Sequence, residues 1–160
     1  MKKVTLIPAR GGSKGITRKN LIDIHGKPLI YYTIVASLDS SVHETWVSTE
    51  DDEIFDVAQD IGAQVIRRPK DLATDEASSE SVLLHFASKI KFDTLVFLQA
   101  TSPMTTSDDI NKGLELMKNY NSVIGVAAIS QNVWINKSPT YDIYKRRRRQ
   151  DKEKVYLETG

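Results

Sequence analysis

Cysteine is absent from all 160 residues, which excludes disulfides, thiol nucleophiles and cysteine metal centres. No apolar stretch approaches the roughly 20 residues of a membrane span. The apolar run after Lys2 and Lys3 is too short for a secretory signal. His25, His43 and His85 are scattered without ligand spacing, so a zinc centre is not expected. The formal net charge of +1 lacks the basic excess that marks a general nucleic-acid-binding domain. No serine sits in a nucleophile elbow, and no Ser/His/Asp set is recognisable. The commonest phosphate motifs are missing too. Gly15 is followed by Ile16 where a P-loop has lysine, and the spacing is GGxxG where a dinucleotide fingerprint has GxGxxG. A soluble cytoplasmic protein is therefore expected, with neither membrane nor nucleic acid as a partner.

What is present concentrates in the first twenty residues, MKKVTLIPARGGSKGITRKN. An apolar run, Val4 to Ile7, breaks at Pro8 into a loop. The loop carries Gly11, Gly12 and Gly15, Ser13, and the cations Arg10, Lys14, Arg18 and Lys19. Glycines permit positive φ and close approach of the backbone to a ligand. Successive exposed N–H groups form an anion-binding concavity, and surrounding cations add charge where a polyphosphate would sit. A flexible basic surface loop is the competing explanation. The strand before the loop and the helix expected from Pro28 favour the phosphate site.

Short β-branched runs alternate with longer amphipathic stretches. Strands are expected at Lys3 to Pro8, Thr45 to Thr49, Gln64 to Arg67, Thr94 to Gln99 and Ser122 to Ile129. Helices are expected at Pro28 to Leu38, Asp51 to Ile61, Ser79 to Ile90 and Ser107 to Tyr120. Acids open two of the helices, serines are available to cap a third, and Gly62 is placed to stop the second. Such alternation implies crossover units and a mostly parallel α/β sheet. Apolar runs like TLVFLQA suit strands covered on both faces. Ligands in such sheets bind at the carboxyl ends of the strands. That gathers the glycine loop, Ser48 to Asp51, Arg67 to Pro69 and Gln99 to Pro103 on one rim.

Several rim residues have two readings. Arg68 suits a phosphate or a base, but spacing alone favours a surface arginine paired with Asp71. Ser78 and Ser79 suit helix caps better than ligand contacts. Gln99 ends an otherwise apolar strand, where a buried amide needs partners, and its mixed donors and acceptors suit a base edge. Glu50 to Glu53 suit magnesium, or simply the start of a helix.

After Ser130 the alternation stops. Residues 1–130 are expected to form the nucleotide-binding α/β domain and residues 131–160 part of an arm. The arm holds five consecutive cations, Lys145 to Arg149. They suit a solvated run, a nucleic-acid patch, or phosphate clamps reaching into an active site. The sequence stops at Gly160 just after a strand-like Val155-Tyr156-Leu157, so a longer native chain is expected.

Together, IPARGGSKGITRKN, VSTEDDEI, RRPKDLATDEASS, LQATSP and RRRRQD, in that order, resemble the acylneuraminate cytidylyltransferase (CMP-sialic acid synthetase) family. The resemblance implies a three-layer Rossmann-like nucleotidyltransferase fold and a reaction in which CTP and a nonulosonic (sialic-type) acid give the CMP-sugar and pyrophosphate. It implies Arg10, Gly11, Gly12, Ser13, Lys19, Asn20, Arg68, Ser79 and Gln99 as nucleotide-binding residues. Arg10, Lys19 and Arg148 are implied as catalytic, and Arg146, Arg149 and Gln150 as the sugar or phosphate site. A homodimer and a Mg²⁺ cofactor are also implied. The family's metal-binding Asp-x-Asp motif has no match here, so the Mg²⁺ ligands are expected beyond residue 160. The alternatives are a related nucleotidyltransferase acting on another sugar or alcohol, a non-catalytic nucleotide-binding module, and an RNA-binding domain led by the arginine run.

Overall fold

The computed structural model describes residues 1–13, 15–129, 134–135, 137–139 and 155–158. Its elements are β1 Lys3–Pro8, β2 Asp23–Ile24, β3 Lys27–Pro28, α1 Leu29–Leu38, β4 Glu44–Thr49, α2 Asp52–Ile61, β5 Gln64–Arg67, α3 Ser79–Lys89, β6 Thr94–Phe97 and α4 Ser107–Leu116. Short 3₁₀ turns lie at Lys19–Leu21 and Lys70–Ala73. β7 Val126–Ile129, β8 Trp134–Ile135, β9 Ser138–Pro139 and β10 Val155–Glu158 follow. The chain divides into two compact units, Met1–Asn121 and Ser122–Thr159.

The first unit is built on a four-stranded sheet of order β5-β4-β1-β6. Every pair in it is parallel, in register Leu6↔Trp46, Leu6↔Phe97 and Val47↔Val65. The period-two pleat sends alternate residues to opposite faces. On one face Ile7 and Val47 pack with Ile30 and Ile34 of α1, Ile54 and Ala58 of α2, and Ile110 and Leu114 of α4. On the other, Val4 and Leu6 pack with Phe86 of α3, beside Trp46, Ile66 and Leu95. Three layers result, an α/β Rossmann-like architecture. Phe86 is fully buried, meeting Trp46 edge-on and stacking on Phe92. Burial of such a side chain contributes about 1.5–3 kcal/mol. Buried hydroxyls between α1 and the sheet find partners in one another. The Ser37 hydroxyl donates to Thr5 Oγ1 at 2.7 Å and lies 2.7 Å from Thr45 Oγ1, tying α1 to β1 and β4.

The helices begin and end for local reasons. α2 is capped by Asp51, whose side chain accepts from Ile54 N, and stops at Gly62, φ 113°. Ser78, not Ser79, caps α3. Thr106 and Asp109 close a reciprocal capping box on α4. Some boundaries differ from the sequence expectation. α1 starts at Leu29, because Pro28 is extended (ψ 147°) in β3 and Leu29 N donates to Ile22 O. Past Leu116, α4 tightens into turns such as Lys118 N to Glu115 O. β6 is an edge strand of this sheet and is half-buried throughout, rather than covered on both faces.

In the second unit, β7 pairs antiparallel with β10, Ala128 opposite Tyr156, and β8 pairs with β9. The expected strand at Ser122 to Ile129 is thus shorter and belongs to a two-stranded sheet of its own. Arg146, Arg148, Arg149 and Gln150 lie outside the described residues, as does Lys14.

Candidate nucleotide site

Chain order runs from β1 to β4 to β5 in one direction, then resumes at β6 on the other side of β1. Reversals of this kind open a crevice outside the carboxyl ends of the strands. A cleft of about 380 Å³ lies there. Pro8 and Arg10 line it from the end of β1, Phe97, Gln99, Ala100 and Thr101 from the end of β6, and Arg68 from the end of β5. Ser79 contributes from the start of α3, and Ser13, Gly15, Lys19 and Asn20 from the glycine loop. Seven residues separated widely in sequence, Arg10, Ser13, Lys19, Asn20, Arg68, Ser79 and Gln99, therefore meet at one cleft. Gly11 and Gly12 belong to the loop that walls it.

The loop is held from behind. Gly11 N donates to Glu50 Oε1 at 2.8 Å, and the Asn20 amide donates to Arg10 O at 3.0 Å. A Cβ on Gly11 would meet Asp51 Oδ2 at 2.2 Å, so close approach is what requires glycine there. The expected positive φ falls on none of Gly11, Gly12 and Gly15; within the loop Arg18 adopts it instead, at 54°. Arg18 is also not a phosphate cation in this arrangement. Its guanidinium pairs with Asp51 and Glu53, clamping the loop to the start of α2. The acids of 50–53 are thus occupied in structure. Burial pushes the Asp51 carboxyl up, but Arg18 and the Ile54 N–H outweigh it and hold the carboxyl below its ordinary range.

Arg68 differs most from its local expectation. It is 7% exposed, and its partner is not Asp71. Nη2 donates to Ser48 O at 3.2 Å and lies 3.6 Å from Glu50 Oε2. Burial lowers its pKa, the Glu50 charge raises it and the Arg10 charge lowers it again. Arg68 Nε is buried without a hydrogen-bond partner among the described residues. Its neighbour Arg67 is the surface arginine, stacked 4.1 Å over the Phe55 ring and paired with Asp52 at 2.7 Å. Arg10 pairs with Asp75 at 2.6 Å.

Gln99 lies beyond the strand end and is exposed, so it is not the buried amide expected from the sequence. Leu98 N still donates to Leu6 O, and the turn then closes by Ser102 N to Gln99 O. The Gln99 amide projects at the cleft, with Thr101 Oγ1 at 3.4 Å from Oε1. Sequence reasoning misses Asp75, and it reads Glu50 only as a magnesium ligand or a helix-start acid, not as the partner of Gly11 and Arg68. Glu50 carries one local signal, its place at the carboxyl end of a strand, whereas nothing local marks Asp75. The cleft is suited to an anion with a planar polar group: the cations Arg10, Lys19 and Arg68 line it together with the Gln99 amide.

The sequence profile of the cytidylyltransferases matches residues 4–158. The chain belongs to the cytidylyltransferase family. N-acylneuraminate cytidylyltransferase B of Danio rerio is 36% identical over 99% of this chain and 40% of its own length. The pseudaminic acid cytidylyltransferase of Campylobacter jejuni is 40% identical over 72% of this chain and 53% of its own. This cytidylyltransferase chain thus spans about half the length, or less, of these curated relatives. A solved CMP:2-keto-3-deoxy-manno-octonic acid synthetase complexed with CTP superposes with TM-score 0.75 at 27% identity, over 100% of this chain and 72% of that one. No helix among the described residues is long and apolar enough to cross a membrane.

Proposed function

We propose that this chain carries the CTP site of an enzyme that transfers CMP to a nonulosonic (sialic-type) acid and releases pyrophosphate. The observation that supports this most is the meeting of Arg10, Ser13, Lys19, Asn20, Arg68, Ser79 and Gln99 at one cleft. In the proposed reaction the anomeric hydroxyl of the sugar acid attacks the α-phosphate, and the bond to the β-phosphate oxygen breaks. Negative charge builds on the phosphate oxygens. Positioning and electrostatic stabilisation carry most of the rate in such transfers. Arg10 and Lys19 would hold the β- and γ-phosphates, the loop would offer N–H groups, and Gln99 would read the cytosine edge. No covalent nucleophile is needed.

Mg²⁺ belongs to this proposal as the counter-ion of the triphosphate. Among the described residues no group of three or more His, Cys, Asp or Glu fits a metal ion. The carboxylates of Glu50 and Asp75 are paired with the cleft-lining Arg68 and Arg10. No step is therefore assigned to a metal on these residues. A cytoplasmic homodimer completes the proposal, the dimer on the strength of the family resemblance, with Arg146, Arg148, Arg149 and Gln150 of RRRRQD serving the sugar side.

Calorimetric titration with CTP, UTP, ATP and GTP, each with Mg²⁺, tests the reading. Selective CTP binding is expected; equal affinity for all four, or none, would overturn it. Gln99→Ala is expected to relax the preference for CTP over UTP more than it weakens CTP binding. Unchanged discrimination would remove Gln99 from that role.

A further inference from the structure

Glu50 follows β4 and precedes Asp51, the cap of α2. The helix start does not use it: Asp51 makes the cap, and Asp52 and Glu53 are the acids of the first turn. Its side chain instead turns back under the rim, where only 16% of it is exposed. Oε1 accepts from Gly11 N at 2.8 Å. Oε2 lies 3.6 Å from Arg68 Nη2 and is itself buried with no hydrogen-bond partner among the described residues. One carboxylate therefore touches both walls of the cleft, the glycine loop after β1 and the arginine after β5.

Burying a carboxylate in this position is costly unless it is paired. Its pairing is also incomplete, since one oxygen is spent on a backbone N–H and the other stands beyond hydrogen-bond distance of a guanidinium. Arg68 meanwhile faces the like charge of Arg10 on the cleft side and the opposite charge of Glu50 behind it. Ser48 O and Leu72 O accept hydrogen bonds from the guanidinium, and the carboxylate adds its charge to that hold without saturating it.

We infer that Glu50 is a positioning residue, which fixes the glycine loop and Arg68 relative to each other and so sets the geometry of the anion site. The inference rests on the nucleotide-binding reading of the cleft. Glu50 acts through Gly11 and Arg68 and contacts no substrate itself. Its two oxygens have separable duties. Glu50→Gln keeps an oxygen for Gly11 and removes the charge opposite Arg68. Glu50→Ala removes both.

The test measures CTP affinity by calorimetry and amide hydrogen exchange at Gly11 and Gly12 in the whole chain. For Glu50→Gln the expected result is CTP binding weakened about tenfold, with little change in Tm or in loop exchange. Added to Arg68→Met, Glu50→Gln is expected to weaken binding no further, because the two residues act as one unit. For Glu50→Ala, exchange at Gly11 is expected to quicken. Wild-type CTP affinity in folded Glu50→Gln, or losses that add in full with Arg68→Met, would overturn the inference. If the wild-type chain binds no triphosphate, the nucleotide reading fails separately, and unchanged Gly11 exchange in Glu50→Ala would still refute the hold on the loop.

Discussion

The layers of the first unit and the rim above them are built by opposite rules. Within the layers, Phe86, Leu6, Ile7 and Ile34 are fully buried, and the hydroxyls of Ser37, Thr5 and Thr45 are bonded to each other. At the rim the Arg68 guanidinium is buried and the Glu50 carboxylate half-buried, yet Arg68 Nε, Glu50 Oε2 and the Ser48 hydroxyl lack hydrogen-bond partners among the described residues; away from the rim, His85 Nδ1 on α3 is a further such atom. Close packing stabilises, whereas incompletely paired buried charge costs stability. Three of the four such atoms thus lie at the carboxyl end of the sheet, where the proposed charged ligand would sit.

The largest effect on stability should come from the layers. Phe86→Ala is expected to cost about 3–5 kcal/mol in chemical denaturation, with the folded fraction keeping its CTP affinity. Loss of affinity in that folded fraction would blur the distinction between layer and rim. Arg68→Met should do the reverse. It should weaken CTP binding by about 1.5–3 kcal/mol, as for a lost charged hydrogen bond, and disturb unfolding less than Phe86→Ala. Denaturant titration beside calorimetry separates the two.

The glycines sharpen the comparison within the loop itself. A Cβ on Gly11 strikes Asp51, while one on Gly12 meets nothing within 4 Å. Gly11→Ala is expected to destabilise by about 1–3 kcal/mol through overpacking, and Gly12→Ala to leave Tm nearly unchanged. If Gly12→Ala weakens CTP binding nonetheless, the approach that needs glycine is the ligand's. The smallest effect concerns acid. The folded-state pKa of Asp51 lies below its unfolded value, so its contribution to stability is present above about pH 4 and fades as pH falls further. Asp51→Asn should therefore flatten the fall of Tm on acidification below about pH 4. An unchanged slope would show that the Arg18 clamp contributes little.

The sequence was most legible where a feature is local. The run Val4 to Ile7 and its glycine loop, the acids and Gly62 bounding α2, and the order of the rim segments all follow from spacing or periodicity. The pairing of residues far apart was not legible. Arg68 and Arg67 look equivalent in a sequence, and only the register Thr49↔Arg67, with Arg68 N donating to Thr49 O, decides which one turns inward. Glu50 and Asp51 are likewise indistinguishable until the glycine loop folds over them, one then holding the Gly11 amide and the other Arg18. The apolar run implies a β6 that reaches and buries Gln99, whereas the ladder ends at Phe97.

The central claim is that CTP occupies the cleft between the ends of β1, β5 and β6. Nuclear magnetic resonance of the ¹⁵N-labelled chain during CTP titration tests it most directly. The largest amide shifts are expected at Gly11, Gly12, Ser13, Arg68 and Gln99, with little change around Phe86 and Phe92. Shifts centred elsewhere, or none at saturating CTP, would contradict it.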